Sequence, residues 1–482
     1  MKKNHVSFIS LVSATMAAIL LYCASPIFGQ TVFNQPEKIT SGNEAYQLSR
    51  NANGSIAFDA SDTLHLTYWS GGFMASPTMP SHIYYQSKTA DGDWASPIAI
   101  DDSKVQVAGP YQGQHIGGRH PSMAVLPDGT VWIIWQDHRH CNPATPYNSI
   151  DNTEVYGDRM LPGGTFTDTD IRLTTSSAEH FGDNAYHPKV ASNNAGRIGA
   201  AWFDFHFDFD LADIFLKVSA DDGAFDPADT MADMRFTSDG SDSGANYNQM
   251  PDIAMTDTAA HLVWYKGLAG VGGDLFYAEA PFDGDASGPI MIAADVGNYW
   301  YPPHIEVGRD GSVWIAYGAP ADSEKITLLR KRPGQSAFDA PVQLTSAPGK
   351  QYNADMVVAA DGTIHLAWID TRAEQHIYYG HYDPETGSLL QERRITESAS
   401  DWTRPAIALD SLGQPHVVFE ERQNYTDGGA IYYCEPMQLD ITSQDIVDFL
   451  LGRKTFTTEE QNQADVNADG KIDMADVIFM RR

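Results

Sequence analysis

Two stretches of this sequence concentrate side chains able to move protons or grip charge. One runs through His115, Arg119 and His120 to Asp137, His138, Arg139 and His140. The other runs through His180, Asp183, Tyr186 and His187 to Asp204, His206, Asp208 and Asp210. Histidine titrates near neutrality, and arginine holds a carboxylate in a rigid fork. Two chemistries fit. His120, His187 or Tyr186 could take the proton α to a uronate carboxylate while Arg139 or Arg119 neutralises that carboxylate, which gives β-elimination. Alternatively, Asp137 and Asp204 could serve as acid and nucleophile or base in glycoside hydrolysis. His and Asp at this density could also hold a metal ion in the main body of the chain. A structural role competes with all of these, because Trp135-x-Asp137-x-Arg139 recurs as Trp368-x-Asp370-x-Arg372 and could brace neighbouring loops.

A third cluster lies near the C-terminus. Asp465, Asn467, Asp469, Asp473 and Asp476 stand at positions 1, 3, 5, 9 and 12 of a loop, with Gly470 at 6 and the Lys471 carbonyl available at 7. Hard oxygen ligands at that spacing wrap one Ca²⁺. Shifting back 31 residues aligns Ile441–Val447 with Ile472–Ile478, so a first helix is expected. Its loop is not duplicated: Cys434, Pro436 and Gln438 replace Asp465, Asn467 and Asp469. One calcium site is expected.

The elements that must position the first two clusters come from a repeat. Seven segments share an apolar strand, a tight turn that is often Asp-Gly, and a strand ending in an aromatic: Tyr68, Trp135, Trp202, Trp264, Tyr317, Trp368 and Phe419. Their separations are 67, 67, 62, 53, 51 and 51 residues, a period typical of propeller blades. A third strand follows each aromatic, as in His82–Ser87 and His376–His381, and a fourth outer strand follows most of these. The seventh repeat lacks a fourth strand, whereas the segment from Val32 to Thr40 reads like one. The expected fold is an all-β, seven-bladed β-propeller over residues 30–434, closed by that N-terminal outer strand, with a small α-helical EF-hand-like tail over 435–482.

This architecture separates structural residues from candidates. His65, His261, His365 and His416 recur three places before the aromatic and read as packing and hydrogen-bonding groups. Gly129, Gly196, Gly311, Gly362 and Gly413 serve turns. Loops entering the first strand and leaving the second share one face. That face collects Asp137, Asp204, Asp370 and Glu421 after the aromatics. Before the first strands it collects Arg119, His120, Tyr186, His187, Trp300, Tyr301, Tyr352, Trp402 and Arg404, with His138, His206, Arg139 and Arg372 close by. Aromatic rings beside acids and arginines suit sugars, whose C–H faces stack on rings and whose hydroxyls need polar partners.

The blades resemble the BNR-repeat, sialidase-like propeller superfamily over roughly residues 31–434. The sialidase Asp-box is degenerate here, as in Ser219-Ala220-Asp221-Asp222-Gly223-Ala224-Phe225. Sialidases have six blades and an arginine triad, for which Arg119, Arg139, Arg372, Arg404 and Arg422 are candidates. Seven-bladed polysaccharide lyases of similar appearance use His, Tyr and Arg, which fits the two clusters better. The tail resembles a type I dockerin, the module by which secreted polysaccharide-degrading enzymes plug into a cohesin. The resemblance implies a cohesin-like partner and carbohydrate breakdown by a lyase or glycoside hydrolase; the rival is a non-catalytic glycan- or protein-binding propeller.

The formal charge of −32 argues against nucleic acid as a partner and disfavours polyanions unless arginine or bound cations reverse the sign locally. Lys2 and Lys3 followed by an apolar run to Cys23 read as a secretory signal over residues 1–29, so a secreted or surface-attached location is expected. No later stretch is apolar enough to span a membrane. Of three cysteines, Cys141 and Cys434 lie beyond the signal, so one disulfide is conceivable and a disulfide-stapled scaffold is excluded.

Overall fold

The computed structural model describes residues 31–40, 46–49, 52–70, 81–90, 92–101, 117–139, 153–167, 169–174, 185–204, 212–219, 225, 234–237, 247–268, 272–296, 301–320, 323–398, 400–424, 428–437, 443–456, 461, 464, 471–474 and 477. They divide between two compact units, Gln35–Glu435 and Met1–Asn34 with Pro436–Arg482.

Within Gln35–Glu435 every repeat becomes an antiparallel sheet whose strands neighbour one another in chain order. Blade 1 holds Ile56–Phe58, Leu64–Ser70, His82–Lys88 and Ile98–Ala99. Blade 2 holds Gly118–Val125, Val131–Asp137 and Glu154–Leu161, with Thr165–Phe166 and Ile171–Arg172 both on its outer edge. Blade 3 starts at Ala185–Ser192, blade 4 at Tyr247–Met255, blade 5 at His304–Val307 and blade 6 at Gln351–Val358. Blade 7 holds Trp402–Leu409, Pro415–Asn424 and Gly428–Cys434. Its fourth strand is Glu37–Lys38, paired Glu37 with Tyr433 and Lys38 with Tyr432, which is the pairing expected of the N-terminal segment. Tyr46–Gln47 bridges Gly429 and Ser70, joining blades 7 and 1 in one sheet. The first strands contact one another in a cycle, from blade 1 through blade 7 and back to blade 1. These sheets are the blades of a β-propeller.

The second strands are apolar on both faces because each blade packs between two others. In Val131–Asp137 all seven residues are buried. Six of the closing aromatics, Tyr68, Trp135, Trp202, Trp264, Trp368 and Phe419, are at most 1% exposed. Burying each ring contributes about 2–3 kcal/mol. The in-register histidines do hold structure: His65, His261, His365 and His416 each bond a third-strand tyrosine hydroxyl, on Tyr85, Tyr277, Tyr379 and Tyr433, at 2.6–2.8 Å. The turn glycines sit in the left-handed region, for example Gly362 at φ +89°.

In the second unit, the helix Ser443–Leu450 places Asp445 in its first turn, where the helix dipole favours an acid. Its Ile446, Val447 and Phe449 pack with Phe456, Ala464, Ile472 and Val477. Gly452, at φ +68°, ends the helix by donating its N–H to the Phe449 carbonyl at 2.9 Å. Among the described residues no helix is long and apolar enough to cross a membrane.

Candidate functional site

One backbone device, repeated around the axis, positions the sequence-predicted side chains. At the start of the first strand the ladder register shifts in blades 2, 3, 4, 6 and 7. At each shift a non-glycine residue adopts a left-handed conformation: His120 (φ +52°), His187 (+46°), Met250 (+53°), Asn353 (+51°) and Arg404 (+52°). Four of the five precede proline, which has no N–H for the ladder, so the strand bulges and re-aims the side chain before it. Left-handed non-glycine residues cost about 1 kcal/mol or more each, so neighbouring contacts must hold them in place. In blade 4 the bulge residue is Met250, an apolar side chain where blades 2 and 3 carry histidine.

Blades 2 and 3 bring their bulge residues together. The His120 and His187 rings lie 4.1 Å apart, centre to centre. His120 also meets Trp69 edge-on at 5.5 Å, and the Arg119 guanidinium lies 5.7 Å from the same indole. Tyr186 and His187 both stack on Phe203, at 5.5 and 5.8 Å. His138 is buried, with Nδ1 3.3 Å from the Gly117 carbonyl. Burial first, and the Arg119 charge second, push its pKa down to about 3, so this ring is neutral at physiological pH. Imidazole, phenol and guanidinium groups thus converge where blades 2 and 3 meet. Such a set can abstract a proton, return one and neutralise an anion.

The carboxylates proposed beside them are engaged within their own blades. Asp137, fully buried, accepts from Trp135 Nε1 at 2.8 Å and from Arg139 N, Nε and Nη2 at 2.8, 3.1 and 3.1 Å. Arg139 also bonds Asp170 at 2.6 Å and stacks on Tyr156 at 3.8 Å. Blade 6 repeats the motif. Asp370 accepts from Trp368 Nε1 at 3.3 Å and from Arg372 N, Nε and Nη2, while Arg372 pairs with Glu392 and stacks on Tyr378. Asp204 is buried at the end of its strand, opposite Ala185 and Asp213.

The remaining residues assigned to the mouth divide differently. Tyr301 and Tyr352 lie 4.1 Å apart, and burial raises the Tyr352 phenol pKa. Arg404 is directed into protein rather than toward a ligand. Its Nη1 reaches Glu420 at 3.0 Å, the Leu48 carbonyl at 2.9 Å and Gln47 at 3.1 Å. Trp402 is buried against Phe419 and Tyr432, and Glu421 accepts from Ser400 and Tyr432 hydroxyls at 2.7 and 2.8 Å. His206 and Trp300 lie outside the described residues, as do the calcium-loop residues Asp465, Asn467, Asp469 and Asp476; Lys471 and Asp473 are exposed.

Sequence reasoning missed a second polar centre on the axis. Blades 3, 4 and 6 carry Lys189, Asp252 and Asp355 two places after the bulge residue, and blade 5, which has no bulge, carries His304 at the matching place; all four are buried. Lys189 Nζ bonds the Asn53 carbonyl at 2.8 Å and its Oδ1 at 2.6 Å. Asp252 Oδ2 gathers Asn53 Nδ2, His304 Nδ1 and the Ile305 N–H at 2.7, 2.9 and 2.9 Å. Asp355 Oδ2 accepts from the Ile407 N–H at 2.8 Å. Coulombic attraction from Asp355 and Asp252, with the Asp252 hydrogen bond, outweighs burial and lifts His304 to about 9. Desolvation lowers Lys189 to about 8 and raises Asp355 to about 6. Aligning the repeats column by column would have found these charges, because blades 1, 2 and 7 carry Ser55, Ser122 and Ala406 in the same column. Among the described residues no three His, Cys, Asp or Glu side chains converge to hold a metal ion.

No family model and no curated protein matches the chain. Among solved structures it is similar to an ulvan lyase, of a new family of polysaccharide lyases, bound to -[GlcA(1-4)Rha3S]-. The identity is 12%, the match covers 88% of this chain and 100% of that one, and the TM-score is 0.51. A protein of unknown function from Dyadobacter fermentans matches at 12% identity over 85% of this chain and 99% of its own, TM-score 0.48. A leech intramolecular trans-sialidase matches at 12% identity over 94% and 74%, TM-score 0.44. At such identities the likeness is one of fold.

Proposed function

We propose that this is an exported, carbohydrate-active propeller that cleaves a uronate-containing polysaccharide by β-elimination where blades 2 and 3 meet. One observation carries the reading. His120 and His187 lie 4.1 Å apart beside Arg119 and Tyr186, while of the two acids considered for hydrolysis Asp137 is buried in a brace with Arg139 and Asp204 is buried at the end of its strand. The same fold carries the lyase whose structure holds a GlcA-containing saccharide.

In this mechanism Arg119 pairs with the uronate carboxylate and draws charge from C5. An imidazole, His120 or His187, takes the C5 proton. The electron pair forms the C4=C5 double bond as the C4–O4 bond breaks, and Tyr186 returns a proton to the departing O4. Arg119 supplies positive charge where a polyanionic substrate needs it, on a chain whose net charge is −32. The tyrosine pair Tyr301 and Tyr352 offers a stacking surface for a sugar ring.

The test incubates the full chain with neutral and uronate-containing glycans and reads both reducing ends and ultraviolet absorbance of unsaturated product. His120→Ala, His187→Ala and Arg119→Ala should each lower the rate by about 10²-fold or more with little change in thermal stability. Reducing ends without absorbance would sink elimination in favour of hydrolysis. Retention on a glycan array without turnover would favour a binding propeller, the role that the Asp–Arg braces would also suit. The C-terminal loop is proposed to bind one Ca²⁺ through Asp465, Asn467, Asp469, the Lys471 carbonyl, Asp473 and Asp476, in a dockerin-like tail that attaches the propeller to a cohesin-like protein. Replacing Asp465 and Asp469 by Ala should abolish calcium-dependent stabilisation of the tail; an unchanged response would place the ion elsewhere.

A further inference from the structure

Beneath the buried charges, the first strands add one more layer around the axis, each residue paired with the one three places before the closing aromatic. That layer is Ala57, Ala124, Ala191, Ala254 and Ala408 in five blades and Val357 in blade 6. In blade 5 it is Glu306, opposite Trp314. A single carboxylate therefore replaces a small apolar group at the wall of the axial channel. Glu306 lines a cavity of about 610 Å³. Lys189, Asp252, His304 and Asp355 line it, and it runs toward the hairpin turns at Asn193-Asn194, Asp257 and Arg309-Asp310, at the opposite end of the first strands from His120 and His187.

We propose that this cavity is a second binding site, for a small organic cation carrying a primary ammonium. The carboxyl groups outnumber the cations: Asp252, Asp355 and Glu306 face Lys189 and His304, and toward the turns Asp257 and Asp310 stand with Arg309, Asp310 being paired with Arg330 at 2.9 Å. Two carboxylates keep capacity for a donor. Asp355 Oδ1, on a residue 4% exposed, accepts no hydrogen bond, and His304 Nε2, 3.5 Å away, contacts the Met356 carbonyl at 2.9 Å instead. Glu306 accepts from its neighbour's Val307 N–H at 3.1 Å and remains partly accessible from the cavity. An ammonium brings three donors to such acceptors, and the inner edges of the first strands add backbone carbonyls. A metal ion fits less well, since no three ligand groups converge among the described residues. The volume suits a molecule the size of a sugar or a short diamine.

The experiment titrates the full chain at neutral pH with glucosamine and 1,4-diaminobutane, and with N-acetylglucosamine as the uncharged control, by calorimetry. At least one ammonium probe should bind and the control should not; which of the two binds separates an amino sugar from a polyamine. Glu306→Ala restores the residue found in five other blades, and Glu306→Gln keeps the shape. Each should weaken binding by about tenfold or more. Glycan cleavage should be unchanged in both, so failure here is distinguishable from failure of the lyase reading. Silence toward both ammonium probes, equal binding of the acetylated control, or undiminished affinity in both variants would overturn the proposal.

Discussion

The bulges of blades 3 and 7 share a backbone and differ in everything their side chains do. His187 and Arg404 both stand at left-handed residues before proline, at φ +46° and +52°. His187 meets a second imidazole from the next blade, whereas Arg404 is clamped by Glu420, Gln47 and the Leu48 carbonyl. Blade 7 is where the chain ends meet, and a buried arginine bonded to residues 47 and 48 ties that seam. The repeat therefore delivers a position, and the neighbouring blade decides whether it becomes a reactive group or a fastening.

The contrast can be broken most forcefully at the seam. Arg404→Met leaves Glu420 fully buried with the weaker Arg422 Nε contact at 3.4 Å in place of the pair, so unfolding should become easier by about 3 kcal/mol. Denaturant midpoints would show it, with activity per folded molecule unchanged; a loss of turnover without destabilisation would put Arg404 back at the mouth. Next come the twin braces. Asp137→Asn and Asp370→Asn each weaken charge-assisted bonds to an arginine and an indole and should cost about 1–3 kcal/mol alike. If Asp137→Asn alone also removes activity, the blade 2 brace takes part in the chemistry.

The smallest effect is a slope. Burial raises Glu306 to about 7 and Asp355 to about 6, and its carboxylate neighbours raise His304 to about 9. All three bind protons more tightly when folded. The stability they contribute is complete below their unfolded pKa values and is lost as pH rises through the folded ones. Lys189, lowered to about 8, acts oppositely above that pH. Glu306→Gln should flatten thermal stability against pH between about 4.5 and 7, where Glu306 changes charge. A slope equal to that of the parent protein would show that this carboxyl does not titrate in the fold.

Much of the architecture was legible because it is periodic. The aromatics closing each second strand, the turn glycines and the His–Tyr pairs follow from local pattern, and the orphan outer strand near Val32 pointed to blade 7. The pairing of His120 with His187 was legible only as a shared face. The axial cluster was not legible at all, since Lys189, Asp252, His304 and Asp355 sit one per repeat and look like isolated polar residues in apolar strands.

Strand order, blade number and the identity of the packing residues were determined by the sequence itself, because hydrophobic periodicity and turn chemistry act over a few residues. Whether an arginine grips a ligand or Glu420, and whether four scattered charges share one cavity, was decided by tertiary structure. Those outcomes depend on contacts between residues 50 to 360 positions apart, such as Arg404 with Leu48 and His304 with Asp252, and on how far burial strengthens the charge–charge forces between them.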